Sequence, residues 1–312
     1  MKRYGPVDAS QSPRFVGIRT FMRLPYVTDL KDVDVMVVGA PFDTGATFRV
    51  GARFGPSAVR EASALLRPYN PAQEIAIFER LSVVDGGDIV VAPGFIEDSY
   101  ARIEAHLRPI LEAGVIPLVI GGDHSVVLAE LRAAAAKHGP VGLVQFDSHS
   151  DCWDQYFGHR YTHGTPIRRA AEEGLLDTKR SIQVGLRGGL YAPGDYALST
   201  ELGLDIVTTM EMRERGLPAV AAQIRERLGT GPCFVSFDVD FLDPAYAPGT
   251  GTPEVGGFTT YEALYLLRAL KGVEIVAADI VEVLPAYDHG EITALAGATV
   301  GYELLSLMAQ AQ

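Results

Sequence analysis

An α/β fold built on a parallel sheet is the class this sequence predicts, on three observations. Short, β-branched apolar runs recur along the chain, separated by longer segments with helical pattern. These runs are hydrophobic nearly throughout rather than alternating, as in strands covered on both faces. The alternation of strand and helix never breaks, which implies parallel strands joined by right-handed crossovers.

Eight runs qualify as strands. In order they are VDVMVVGAP (33–41), LSVVDGGDIVV (81–91), VIPLVIGGD (115–123), VGLVQFD (141–147), SIQVGLRG (181–188), LDIVTTMEM (204–212), CFVSFDVD (233–240) and VEIVAADIVEV (273–283). Helical pattern fills the gaps at 99–114, 126–139 and 218–229, and a last helix is expected over 294–310. The first 32 residues, with Pro6, Pro13 and Pro25, read as an irregular arm that packs on the domain or on a neighbouring subunit. No low-complexity linker follows, so residues 33–312 are taken as one domain. Eight parallel strands can close into a barrel or stay open, and periodicity does not choose.

The chain has 312 residues, 47% hydrophobic and 21% charged, with a formal net charge of -12. That balance argues against nucleic acid or an anionic membrane as partner. Two cysteines, Cys152 and Cys233, are too few for a disulfide framework. Gly5 and Pro6 follow the basic start instead of an apolar run, so no signal peptide is expected. No run is read as reaching the roughly 18 apolar residues of a membrane helix. A cytoplasmic location is the expectation.

Both architectures gather ligands at the carboxyl ends of the strands. Polar groups recur there: Asp43 after the first run, Asp123-His124 after the third, Asp147 to Asp151 after the fourth, Asp238 and Asp240 after the seventh, and Glu282 in the eighth. One such acid is an ordinary helix cap; several together make a site. If the chain stays extended, Asp147, His149 and Asp151 share one face at spacings of about 6.5–7 Å. Asp238 and Asp240 form a second, shorter row, and His124 a third approach. Four carboxylates crowded together repel. Two divalent cations would balance their charge, and paired metals activate a water as nucleophile. Mostly oxygen ligands with two imidazoles and no thiolate favour Mn²⁺, with Ni²⁺, Co²⁺ or Zn²⁺ as alternatives.

Three motifs, Gly121–Ser125 (GGDHS), Asp147–Asp151 (DSHSD) and Ser236–Pro244 (SFDVDFLDP), resemble those of the ureohydrolases, the arginase and agmatinase family. Ser148 stands where that family usually has alanine, and is expected to point away from the metals. The resemblance implies an arginase-like three-layer α/β/α fold with an eight-stranded, mostly parallel sheet. It implies a binuclear manganese site. His124, Asp147, Asp151 and Asp238 would hold one ion, and Asp147, His149, Asp238 and Asp240 the other. It also implies His163 as a proton shuttle, Glu282 as the partner of the substrate guanidinium through two parallel bonds, and Asp151 as a further catalytic group. Urea and an amine would be the products, and a homotrimer or homohexamer the assembly.

For the substrate, a small cationic guanidino compound is expected, with agmatine ahead. The loop after Asp151 should read its tail. Trp153, the only tryptophan, and Asp154 are the candidate contacts there, followed by Tyr156 and Phe157. Asp154 would attract a distal ammonium; alternatively the rings would wall off a pocket for guanidine or methylguanidine. A guanidinobutyrate would instead want a cation, from Arg160, Arg168, Arg169 or Arg187. Outside the enzyme class, a non-catalytic ureohydrolase-like subunit fits the same composition. His106, His138, His159 and His289 are left as surface or supporting residues.

Overall fold

The computed structural model describes residues 4–311. Its strands are β1 (Val35–Gly39), β2 (Tyr69–Asn70), β3 (Ile75–Ala76), β4 (Val83–Asp88), β5 (Ile116–Ile120), β6 (Gly142–Phe146), β7 (Ile182–Leu186), β8 (Asp205–Thr208), β9 (Pro232–Asp238) and β10 (Glu274–Val281). Eight of them form one sheet in the order β4-β1-β5-β10-β9-β6-β7-β8. Every pairing in it is parallel, and β2 with β3 is a separate antiparallel hairpin. The sheet ends at β4 and β8, so it is open and not a barrel. Each of the eight apolar runs supplies one strand.

Alternation along the strands feeds two cores. Val35 and Val37 of β1 join one hydrophobic cluster while Met36 and Val38 join the other. The successive side chains of a strand point to opposite faces, so helices cover both sides. That is a three-layer α/β/α arrangement.

Two expectations need correction. The sixth run was read as strand to residue 212, but β8 stops at Thr208. Thr208 and Glu211 form a reciprocal capping box that starts the helix Thr209–Arg215, and these caps override β propensity. The chain also does hold a segment of membrane length: the helix Ile292–Gln310 has 19 residues and a mean hydropathy of 1.4. It is 83% buried inside the fold, where its apolar surface meets protein.

Residues 4–32 lie on the same domain. Phe21, Met22 and Leu24 are buried, and the backbone N–H of Phe21 donates to Asp85 Oδ2 at 2.7 Å. Phe15 and Ile18 stay exposed.

Candidate metal centre and substrate cavity

The strand order makes β5, β10, β9 and β6 neighbours. Their carboxyl ends carry His124, Glu282, Asp238 and Asp147 in turn. Residues far apart in sequence therefore meet because four adjacent strands end at one level.

After β5 the chain makes a tight turn. A Cβ on Gly122 would lie 1.7 Å from the carbonyl oxygen of Phe42, so only glycine fits there. Asp123 caps the following turn, accepting from the backbone N–H of Ser125 at 3.0 Å. This presents His124, which is 1% exposed. Its Nδ1 lies 2.8 Å from Asp151 Oδ2, 2.9 Å from Asp147 Oδ2 and 3.4 Å from Asp238 Oδ2. Its Nε2 sits 2.8 Å from Ser236 Oγ, which itself donates to Asp279 Oδ1 at 2.7 Å. Ser236 has spent its proton, so an Nε2–H donates to it, and the Nδ1 lone pair would then be available to a metal ion among the carboxylates.

A second cluster adjoins the first. His149 Nδ1 is 3.0 Å from Asp240 Oδ2 and 3.6 Å from Asp147 Oδ1. The ligand-capable atoms of His124, Asp147 and Asp151 lie within 4.8 Å of one another, and so do those of Asp147, His149 and Asp240. Asp147 belongs to both groups. Asp238 reaches the first through His124, and its Oδ1 accepts from the backbone N–H of Asp240 at 2.8 Å.

Two imidazoles face four buried carboxylates, so these acids are only partly compensated. Burial, and then the charges of Asp240 and Asp147, push the Asp238 carboxyl well above its ordinary range. Burial and Asp147 raise Asp151 to about 6. The buried Oδ2 of Asp240 has no hydrogen-bond partner. A pair of divalent cations would relieve all three, so these residues fit the metals the sequence motifs imply.

The geometry corrects how the motifs work. Asp147, His149 and Asp151 converge through a turn and not through extended chain: the backbone N–H of His149 donates to Asp147 Oδ1 at 2.7 Å, and Asp151 has a φ of 52°. That turn also swings Ser148 inward. Its hydroxyl donates to Asp240 Oδ1 at 2.7 Å instead of pointing away. Glu282 has a φ of 62°. Its Oε1 accepts from the backbone N–H of His124 at 3.0 Å and lies 2.8 Å from His163 Nδ1. The buried Oε2 has no partner. Glu282 thus offers one free oxygen, not two. On the far side of His163, Nε2 accepts the backbone N–H of Thr47 at 3.0 Å, which assigns the proton to Nδ1.

Sequence reading missed the support beneath these ligands. Gln183, Gln145, Ser236 and Asp279 stand in register across β7, β6, β9 and β10. Gln183 donates to Gln145 at 2.6 Å, and Gln145 donates to Asp147 Oδ2 at 2.7 Å. Gln145 and Ser236 lie two residues before Asp147 and Asp238, on the same strand face. Their signal was a polar residue inside an otherwise apolar run.

Above the ligands opens a cavity of about 610 Å³. His163 and Asp151 line its floor, and Arg49, Glu254, Trp153 and Tyr156 are among its walls. Trp153 is edge-on to Tyr156 at 6.0 Å and to Tyr191 at 5.2 Å between ring centroids. Asp154 does not line this space. Its carboxylate is held by Arg169 at 2.8 Å and faces Arg168 at 3.5 Å, because the buried Arg169 needs a counter-charge. The acid at the cavity wall is Glu254, a hundred residues later. Of the arginines weighed for a carboxylate, Arg160 and Arg168 pair with Glu172, and Arg169 with Asp154 and Glu172. Arg187 is wrapped by the carbonyls of Gly185, Asp240, Phe241, Leu242 and Glu254.

Residues 33–306 match the model of the arginase family. The chain is 50% identical over 306 residues to a guanidinopropionase of Pseudomonas aeruginosa, covering 98% of this chain and 96% of that protein. It is 44% identical to a mitochondrial agmatinase of Gallus gallus, covering 97% and 89%. The structure of proclavaminate amidino hydrolase from Streptomyces clavuligerus superposes with a TM-score of 0.92 at 42% identity, covering 96% of this chain and all of that one.

Proposed function

The chain belongs to the arginase family and is a hydrolase of guanidino groups, and from that premise we propose that its substrate is a short ω-guanidino carboxylate, cleaved to urea and an amino acid. Arg49 carries this choice. It lines the cavity with its guanidinium 4.7 Å from the Tyr287 ring centroid, and has no ion pair among the described residues. A cation seated on an aromatic face and otherwise unpaired suits a carboxylate. The guanidinopropionase relative supports the same substrate class.

Two Mn²⁺ ions are the proposed cofactors, with Ni²⁺ or Co²⁺ as alternatives. His124, Asp147, Asp151 and Asp238 would hold one; Asp147, His149, Asp238 and Asp240 would hold the other. When bound, such a pair would supply a water acidic enough to act as a nucleophile at neutral pH. The protein positions the rest. Glu282 Oε2 is the free anionic oxygen for the substrate guanidinium. Asp151 lines the cavity and would orient the attacking water by a hydrogen bond. His163 holds a proton on Nδ1 against Glu282 and is placed to pass one to the leaving amine. Burial opposes charge on His163, but Glu282, Asp123 and Asp151 outweigh it and raise its pKa. That keeps a proton available near neutral pH.

Agmatine is the second reading, favoured by Glu254, whose Oε1 lies 3.9 Å from His149 Nε2 at the same cavity. A urea-release screen over 3-guanidinopropionate, 4-guanidinobutyrate, agmatine, arginine and guanidine, run with Mn²⁺ and with Ni²⁺, tests both. The guanidino acids should turn over fastest. Preference for agmatine would overturn the carboxylate reading, and urea from none of them would support a non-catalytic subunit. A homotrimer or homohexamer is the proposed assembly, which a sedimentation mass would check.

A further inference from the structure

Asp240 presents its two oxygens very differently. Oδ1 accepts two hydrogen bonds, both from Ser148: the backbone N–H at 3.0 Å and the hydroxyl at 2.7 Å. Oδ2 is buried, accepts none, and faces His149 Nδ1 at 3.0 Å. The Ser148 hydroxyl also lies 3.1 Å from that same Nδ1. It therefore touches both residues that belong to the second cluster alone. It makes no hydrogen bond with His124, Asp151 or Asp238, the residues around the first.

An alanine at this position would keep the backbone hydrogen bond and lose the other. The hydroxyl bond is charge-assisted and short, the stronger class of hydrogen bond. With both acceptor directions of Oδ1 occupied, the carboxylate cannot rotate to offer that oxygen, and Oδ2 is left as the one ligand atom on the side of His149. Ser148 is itself 1% exposed, and its carbonyl accepts from the backbone N–H of Arg187 at 2.9 Å. The hydroxyl is thus anchored on a rigid segment and shielded from competing water.

We infer that Ser148 is a positioning residue for the second metal, setting the affinity of the His149–Asp240 half of the centre independently of the His124–Asp151 half. The inference rests on the two-metal reading above. Partners that orient a ligand from outside the coordination sphere are typically worth about 10–100-fold in metal affinity.

The test is titration of the metal-free wild-type chain and of Ser148→Ala with Mn²⁺ alone, by calorimetry, with electron paramagnetic resonance to count spin-coupled pairs. Wild type should bind two ions. Ser148→Ala should bind the first unchanged and the second about tenfold or more weakly, with fewer coupled pairs at limiting Mn²⁺. Ser148→Thr, which keeps a hydroxyl, should restore the second step. Two steps in Ser148→Ala identical to wild type would overturn the inference. Equal weakening of both steps would also overturn it, since that reports general loosening. A wild-type chain that binds fewer than two ions would instead defeat the two-metal reading, before any variant is compared.

Discussion

The floor and the rim of the cavity are built by different rules. The floor comes from four neighbouring strand ends, and its side chains are nearly all buried. The rim comes from loops: Thr47–Arg49, then Trp153 with Tyr156 and Phe157, then Gly189–Tyr191 and Thr252–Glu254 line the cavity. Phe48, Phe157 and Tyr191 are 70%, 78% and 81% exposed. A floor locked into sheet register can hold one reaction fixed while exposed loops vary what is brought to it. Changes in the floor should therefore abolish chemistry for every substrate. Changes in the rim should alter which substrate is used.

The largest effect should come from the middle of the floor. Asp238→Ala should lower urea release by at least about a thousandfold for all guanidino substrates, with metal analysis showing less than two ions per chain. Retained urea release would break the two-metal account. His163→Ala should cut kcat by about 10²–10⁴-fold while leaving the metal content at the wild-type value; loss of metal would show that His163 supports the ligands instead. At the rim, Arg49→Met should raise KM for a guanidino acid by about tenfold to a hundredfold and leave kcat nearly unchanged. If agmatine suffers equally, the rim does not read charge at that point. The smallest effect belongs to Asp154→Ala, which should leave urea release within about twofold of wild type, since Asp154 lies outside the cavity and Arg169 keeps Glu172 as a counter-charge. A selective loss of agmatine turnover would return Asp154 to the substrate's path.

The same division governs what could be read in advance. All eight strands announced themselves as apolar runs, and the floor residues are polar groups at the ends of those runs. Chemistry that depends on strand order needs only the ends to be found. Ser148 was misjudged because strict alternation was carried past the strand, where the chain already turns at Asp147. Gln145 and Asp279 were passed over, and Ser236 was read only as part of a motif, because a lone polar residue in a strand has no meaning until its cross-strand neighbour is known. On the rim, sequence proximity misled. Asp154 is three residues from Asp151 yet is drawn outward by Arg169, while Glu254 is brought in from a distant loop whose carbonyl binds Arg187. Arg49 went unweighed because its loop follows β1, a strand that carries none of the three motifs.

The row of Gln183, Gln145, Ser236 and Asp279 has a consequence for how the molecule folds. Parallel pairing tolerates several alignments as far as backbone hydrogen bonds are concerned, and a slip of one residue reverses which face each side chain meets. In this sheet such a slip on β6 or β9 would drive an amide or a hydroxyl into hydrocarbon without a partner, at roughly 1–3 kcal/mol for each stranded group. In the correct alignment Gln183 bonds Gln145, Gln145 bonds Asp147, and Ser236 bonds Asp279. The centre thus proofreads its own scaffold: a chain that has paired its strands wrongly is penalised before any metal or substrate arrives.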